Sequence, residues 1–330
     1  MSRVIRASPA RARAFMRRAQ LLGGAAPTIA AAIEHLGYIQ IDPINVCGRM
    51  HDHILRNRVP GYGQDGLMRH LHGGDSPLGP AHRAAFEHHM PSSDNLVAFP
   101  LSAWPFLRAS MRSRASRTSA WLGRLTPRER EFSAVILDRF RDSGALGPEE
   151  FADERKGRRV WGAATLAKAT LQKLFFHGRL LICARRSNRR LYDLPERVLP
   201  ASVLAASEPG AAELARWEAL VRLRQHRLAA LTRAELAAAA DRVTEVLVEG
   251  CPRLFCLSED EALFEGPAPG AEPLLLAPLD PLVYDRVVTR RLWDFDYAWE
   301  AYTPAHKRRR GYYALPILAG TEIVGHVDVK

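Results

Sequence analysis

Residues 179–194 read RLLICARRSNRRLYDL. RLLICARR (179–186) and RRLYDL (189–194) flank Ser187-Asn188, a turn pair. Apolar and polar residues alternate on both sides of it, the pattern of a hairpin. The preceding stretch has helical spacing instead. Leu166, Thr170, Leu174 and Phe175 stay in register over about Gly162 to Phe176, and Gly178 follows. Further upstream, Thr126-Pro127-Arg128-Glu129 carries a capping box with proline in the first turn. Phe132, Val135, Ile136 and Phe140 form the apolar face behind it, and Ser143-Gly144 closes the helix. A short helix from about Pro148 to Asp153 completes the set. Three helices followed by a basic-tipped hairpin make a winged helix.

The same grammar extends in both directions. Ser8-Pro9 opens a helix to about Leu22, ended by Gly23-Gly24. A second helix spans about Pro27 to Leu36, stops at Gly37, and leads into a strand, GYIQID. Two helices and a strand again suit a winged-helix unit. Downstream, a helix near Ala211 to Ala230, a capped helix from Thr232, a helix over Asp241 to Glu249 and a strand over Arg253 to Leu257 suggest a third, degenerate copy. Beyond Leu274 strands dominate, with GYYALPIL and EIVGHVDVK as a hairpin. The expected class is α+β: three tandem winged-helix motifs and a C-terminal β-rich, barrel-like region. The expected segments are 1–100, 101–200, 201–262 and 263–330, the first carrying the QID strand.

Composition narrows the partner. The 330 residues are 47% hydrophobic and 25% charged, as in a globular protein. No run of 18 apolar residues offers a membrane span, and the basic N-terminus lacks the apolar core of a secretory signal. Cys47, Cys183, Cys251 and Cys256 are scattered and form no CxxC, so neither a disulfide framework nor a zinc site is expected, in keeping with a reducing, cytoplasmic setting. The net charge is +11, and of 47 basic residues five are lysine, leaving 42 arginines. Base composition of the gene alone would also enrich arginine. The distribution argues otherwise, because Asn95 to Arg128 holds no acid but six arginines, including Arg112, Arg114 and Arg117. Arg158-Arg159, Arg185-Arg186, Arg189-Arg190 and Lys307-Arg308-Arg309 add further clusters. Guanidinium groups grip phosphate bidentately, so these residues are the expected DNA contacts.

One stretch does not fit a simple binder. In GYIQIDPINV, 37–46, period two places Tyr38, Gln40 and Asp42 on one side of a strand and Ile39 and Ile41 on the other. A half-buried strand with a polar face is the plain reading. Seven of the twelve histidines follow between His51 and His89, and His51-Asp52-His53 would put two imidazoles on one strand face, lining a polar cleft. No HExxH or Cys/His set is present, so no metal is expected, and no GxSxG, P-loop or dinucleotide fingerprint supports other chemistries.

The segment GYIQIDPINVCGRMHDHILRNRVPGY resembles the AlkZ/YcaQ family of winged-helix DNA glycosylases, whose catalytic motif is Gln, an apolar residue, then Gln or Asp. Here it is Gln40-Ile41-Asp42, the Gln/Asp version of the YcaQ-like branch. WGAATLAKATLQKLFFHGRLLICARRSNRRLYDLPERVLP is similar to the family's second winged-helix region, and the stretch from Leu275 to Lys330 to its C-terminal β region. Three departures stand out. HDH replaces a run of histidines, Phe86 to Asn95 match loosely, and the chain stops at Lys330, so the last strand is expected to present an open edge.

The resemblance implies a monofunctional glycosylase that releases N7-alkylated purines, unhooks interstrand crosslinks, needs no cofactor and acts as a monomer on double-stranded DNA in the nucleoid. Gln40 and Asp42 would be catalytic, with Tyr38, His51 and His53 lining the site. A winged-helix DNA-binding regulator without chemistry is the alternative. The charge also allows an RNA-directed or ribosome-associated role.

Overall fold

The computed structural model describes residues 4–74, 76–151, 165–186 and 189–329. The chain divides into two compact units, Met1–Leu67 with Gly210–Lys330, and Met68–Pro209. These boundaries do not coincide with the expected segment ends at 100, 200 and 262. The first unit is built from both ends of the sequence, and the second is the stretch inserted between them.

The first unit begins with a strand that local pattern gives no hint of. Val4–Ala7 runs parallel to Val243–Val248, which pairs antiparallel with Leu254–Leu257. The helix expected over Asp241 to Glu249 is therefore a strand. Its residues are VTEVLV, and β-branched side chains lose rotamer freedom in a helix but pack well on a pleated surface. The helix Pro9–Ala19 is capped by the Ser8 hydroxyl, which accepts from Arg11 N at 3.3 Å. Its buried Phe15 stacks on Phe264 at 4.0 Å, in a core shared with Met16, Val246, Leu276 and Leu292. The helix Ile29–Leu36 is capped by Thr28 and stopped by Gly37 at φ 80°, a left-handed backbone that glycine adopts without strain.

The C-terminal strands Leu274–Leu275, Ala314–Ala319 and Glu322–Asp328 form an open antiparallel sheet, with the last strand at its edge. No closed barrel occurs among the described residues, which corrects the barrel-like expectation: three short strands cannot close on themselves. A helix, Arg286–Trp293, interrupts the expected run of strands and is capped by Asp285, whose carboxylate accepts from the Val287 and Val288 amides.

In the second unit, Pro127–Ser143 starts on the expected capping box, with Glu129 reaching the Thr126 amide at 2.7 Å. The helix Leu166–Phe176 and the hairpin Leu181–Arg186 with Arg189–Asp193 follow. The Ser187-Asn188 tip, and the 152–164 segment with Arg158 and Arg159, lie outside the described residues. Ala85–His89 and Leu96–Pro100 form a second antiparallel pair.

Candidate active site

The QID motif begins at the end of a two-residue strand, Ile39–Gln40, just after the Gly37 stop, and Ile41 and Asp42 lie beyond the strand. Simple alternation fails here. Ile39, Gln40 and Ile41 are all buried, at 1%, 9% and 9% exposure, so Gln40 does not share an open polar face. Only Asp42, where the strand has ended, is half-buried. Its Oδ1 accepts from the Ile44 amide at 2.8 Å, an Asx turn across Pro43 that fixes the carboxylate. Burial raises its pKa, and the Ile44 N–H offsets part of that rise. Among the described residues no cation is paired with it.

A buried glutamine from the far end of the sequence holds this segment. Gln225 Nε2 donates to the carbonyls of Leu36 at 2.9 Å and Tyr38 at 3.1 Å. Gln20 Nε2 in turn donates to the Gln225 carbonyl at 2.7 Å. Burial and the neighbouring Tyr284 raise the pKa of Tyr38, so its phenol stays neutral at ordinary pH.

The expected HDH strand is a helix, Met50–Arg56. Residues two apart on a helix point about 200° away from each other, so His51 and His53 cannot converge as the strand reading required. His51 is buried. His53 has a defined tautomer: Arg56 Nη2, a donor, lies 3.1 Å from Nδ1, which must accept. The ring proton is then on Nε2, 3.6 Å from Cys47 Sγ. Gly48 makes room for this ring, since a Cβ there would lie 2.8 Å from Nε2 at a backbone φ of 133°. Asp52 accepts from the Tyr62 hydroxyl at 2.6 Å, and that hydroxyl accepts from Leu67 N at 2.8 Å. Asp52 thus holds the following turn rather than substrate. The segment is anchored by Arg58, whose two Nη atoms meet the Asp280 carboxylate at 2.8 Å each, both side chains fully buried.

Sequence reasoning missed the aromatic side of this site. Tyr313 is fully buried and its hydroxyl has no hydrogen-bond partner among the described residues. Burial first, then the charges of Cys47, Asp42 and Asp52, raise its pKa. A neutral phenol is therefore held within electrostatic reach of Asp42. Its ring lies 6.3 Å from those of His53 and Trp299, and Trp299 lies 5.5 Å from Tyr302. Tyr302 is 79% exposed, and Asp42 also bears on its hydroxyl. The signal was present as the pair Tyr312-Tyr313, read only as the start of a hairpin.

The expected DNA contacts separate into two groups. Arg112, Arg117, Arg186, Arg189, Lys307 and Arg309 are exposed, and Arg190 and Arg308 are half-buried. Arg112 pairs with Glu208, and Arg308 lies over the Tyr312 ring at 5.0 Å. Arg114 and Arg185 are corrected to structural roles. Arg114 is 1% exposed and donates to Asp94 at 2.7 Å and to the Met90 carbonyl at 3.1 Å. Arg185 is committed to the buried Glu87, with Nε at 2.8 Å. Charge density in a sequence cannot separate arginines that face solvent from those that neutralise a buried carboxylate.

The first unit thus places a buried glutamine and, two residues on, a half-buried carboxylate with no paired cation among the described residues. Residues 33–330 match the profile of the family described as DNA glycosylase AlkZ-like, and the chain belongs to that family. Among solved structures it resembles the Streptomyces sahachiroi DNA glycosylase AlkZ, with a TM-score of 0.62 and 18% identity over 98% of this chain and 88% of that one. At that identity the likeness speaks for the fold. No helix among the described residues is long and apolar enough to cross a membrane.

Proposed function

We propose that the protein is a monofunctional DNA glycosylase that hydrolyses the N-glycosidic bond of N7-alkylated purines in double-stranded DNA, including those joined in interstrand crosslinks. One observation carries the reading: Asp42 is held by a backbone amide, partly desolvated, with no cation paired to it among the described residues. Such a carboxylate is suited to a positive charge that appears only during reaction. N7 alkylation makes the purine cationic, so the C1′–N9 bond breaks with its electron pair going to the base, which leaves neutral. No general acid is needed. The sugar becomes oxocarbenium-like, and Asp42 stabilises it, as carboxylates do in glycoside hydrolysis. Water then bonds to C1′, with its proton passing to Asp42. Gln40, which both donates and accepts, orients that water.

A lyase step needs an amine nucleophile, and none of the five lysines is near the motif in sequence. The helix-and-hairpin segments with their exposed arginines are read as winged helices that grip the backbone of the duplex. A regulator would use the same arginines but gains nothing from a carboxylate beside phosphates.

The test is a gel assay on a duplex with an N7-alkylguanine crosslink. Wild type should unhook it and leave an abasic site that breaks only under heat or alkali. Asp42→Asn should be slower by roughly 10²–10³ with duplex binding intact. Equal, low activity in both with intact binding favours the regulator. Strand breakage without heat or alkali overturns the monofunctional assignment.

A further inference from the structure

In the second unit, residues 117–125 join the helix Trp104–Ser116 to Pro127–Ser143. The stretch has no regular structure, yet it is fixed at several points. Arg124 N donates to the Arg117 carbonyl at 2.8 Å and closes the neck of the loop, and Gly123 N donates to the Ser119 carbonyl at 3.2 Å. Ser119 Oγ accepts from the Trp121 amide at 3.4 Å. His177 Nε2 lies 3.1 Å from both the Leu122 and the Gly123 carbonyls, so it carries the ring proton and donates. Lys173 is 3% exposed and donates to the Arg124 carbonyl at 3.2 Å and to Glu129 at 2.8 Å. Only glycine fits at 123, where a Cβ would lie 2.4 Å from the Arg117 carbonyl oxygen.

What this framework presents is a tryptophan. Trp121 is 60% exposed, whereas Trp104 and Trp293 are buried. Among the described residues its ring makes no stacking or cation–π contact. An apolar ring left in water adds nothing to the fold. Arg117, Arg124 and Arg128 are exposed as well, and among the described residues no acid pairs with any of them. All three lie in the acid-free run from Asn95 to Arg128. A tryptophan that anchors a protein interface sits amid other apolar groups. The exposed neighbours of Trp121 in the loop are instead Arg117, Thr118, Ala120 and Arg124. A π-face beside uncommitted guanidinium groups suits a nucleotide, the ring for its base and the cations for its phosphates.

We propose that Trp121 is a stacking contact for a nucleobase that has left the helical stack of the bound DNA, with Arg117 and Arg124 on the phosphates beside it. A paired base shows no free face, so the partner is an unpaired one. The closed neck and the Gly123 turn hold the ring ready, so little ordering is needed on binding. The proposal rests on the glycosylase reading for its partner, DNA, and adds a second point of contact carried by the unit that does not hold the QID segment.

The experiment measures anisotropy of two undamaged, labelled duplexes, one fully paired and one with a single unpaired adenine. Wild type should bind the second about tenfold more tightly, as one stacked base allows. Trp121→Ala should bind the two alike, and Trp121→Phe should keep part of the preference. Gly123→Ala, which keeps the indole but disturbs the loop, should lose the preference as well. Arg117→Ala should weaken both duplexes equally and lower the salt slope by about 0.9. With 2-aminopurine at the unpaired position, wild type should quench the probe and Trp121→Ala should not. A preference that survives Trp121→Ala, or a loss of equal size on both duplexes, overturns the stacking assignment. Unchanged binding of both duplexes leaves Trp121 to a protein partner and overturns it too. A wild type that releases N7-methylguanine but shows no preference sinks the Trp121 assignment alone. One with a Trp121-dependent preference that releases no base sinks the glycosylase reading and leaves the stacking contact.

Discussion

Glu87 and Asp42 are both carboxylates withdrawn from water, and the two units treat them in opposite ways. Glu87 is buried completely and saturated. Arg185 Nε lies at 2.8 Å and His72 Nε2 at 2.5 Å, and although burial alone would raise its pKa, these partners hold it well below the usual carboxylate range. Asp42 is half-buried, has one backbone amide as donor and no paired cation among the described residues, and its pKa is raised. A buried charge that has its partners is part of the scaffold, and removing one side of such a pair strands the other. A carboxylate left without a cation is available for one that arrives later. Burial separates neither case from the other; the inventory of partners does.

The sharpest way to break this contrast is Glu87→Gln. It leaves Arg185 partly buried opposite a neutral amide and should cost about 3–5 kcal/mol, read as a lower urea midpoint. Because the folded pKa of Glu87 is depressed, its stabilisation is present above the unfolded value and drains away as pH falls toward the folded one. The destabilisation by Glu87→Gln should therefore shrink below about pH 4.5, the ordinary value of a glutamate carboxyl. A midpoint unchanged at pH 7 would remove Glu87 from the scaffold.

Next in size is Tyr313→Phe. If the orphaned hydroxyl supports the charged form of Asp42, excision of N7-methylguanine should slow about tenfold, a change of roughly 1.4 kcal/mol in barrier. The acid limb of the rate profile should also move to higher pH, since Asp42 would become harder to ionise. Stability should not fall, because a buried hydroxyl without a partner is removed. An unaltered limb would reduce Tyr313 to packing.

The smallest effect concerns Asp42 itself. A raised folded pKa means that ionisation works against folding: the cost is absent at low pH and sets in as pH rises through the unfolded and then the folded value. Asp42→Asn keeps an oxygen for the Ile44 amide and should leave the melting temperature at pH 7 unchanged or slightly higher. In wild type the acid limb should lie above the pH of an unperturbed aspartate. A lower melting temperature for Asp42→Asn would show that the charge holds the fold together after all.

Local rules carried much of the fold. Ser8, Thr126 and Thr232 cap helices as their neighbours indicate, and the two hairpins fall where turn residues separate alternating strands. What escaped depends on distant partners. Val4–Ala7 becomes a strand only because Val243–Val248 is there to pair with it. HDH has too little local preference to separate helix from strand, and the Gly48 backbone and the Arg56 contact settle the ring of His53. The Gln40-Ile41-Asp42 motif was legible through its resemblance, whereas Gln225, which holds the segment before it, and Tyr313, within electrostatic reach of Asp42, come from 185 or more residues later in the sequence. No spacing rule encodes such a meeting.

The grip of Gln225 on Leu36 and Tyr38 has a practical corollary for protein engineering. The short QID segment cannot be treated as a portable cassette. Grafted onto another scaffold without an amide donor reaching back to those two carbonyls, it would lose the tether that sets where its strand stops. Transplants should carry the 211–226 helix along with the motif, and libraries that recombine the two ends of the chain should keep them from the same parent.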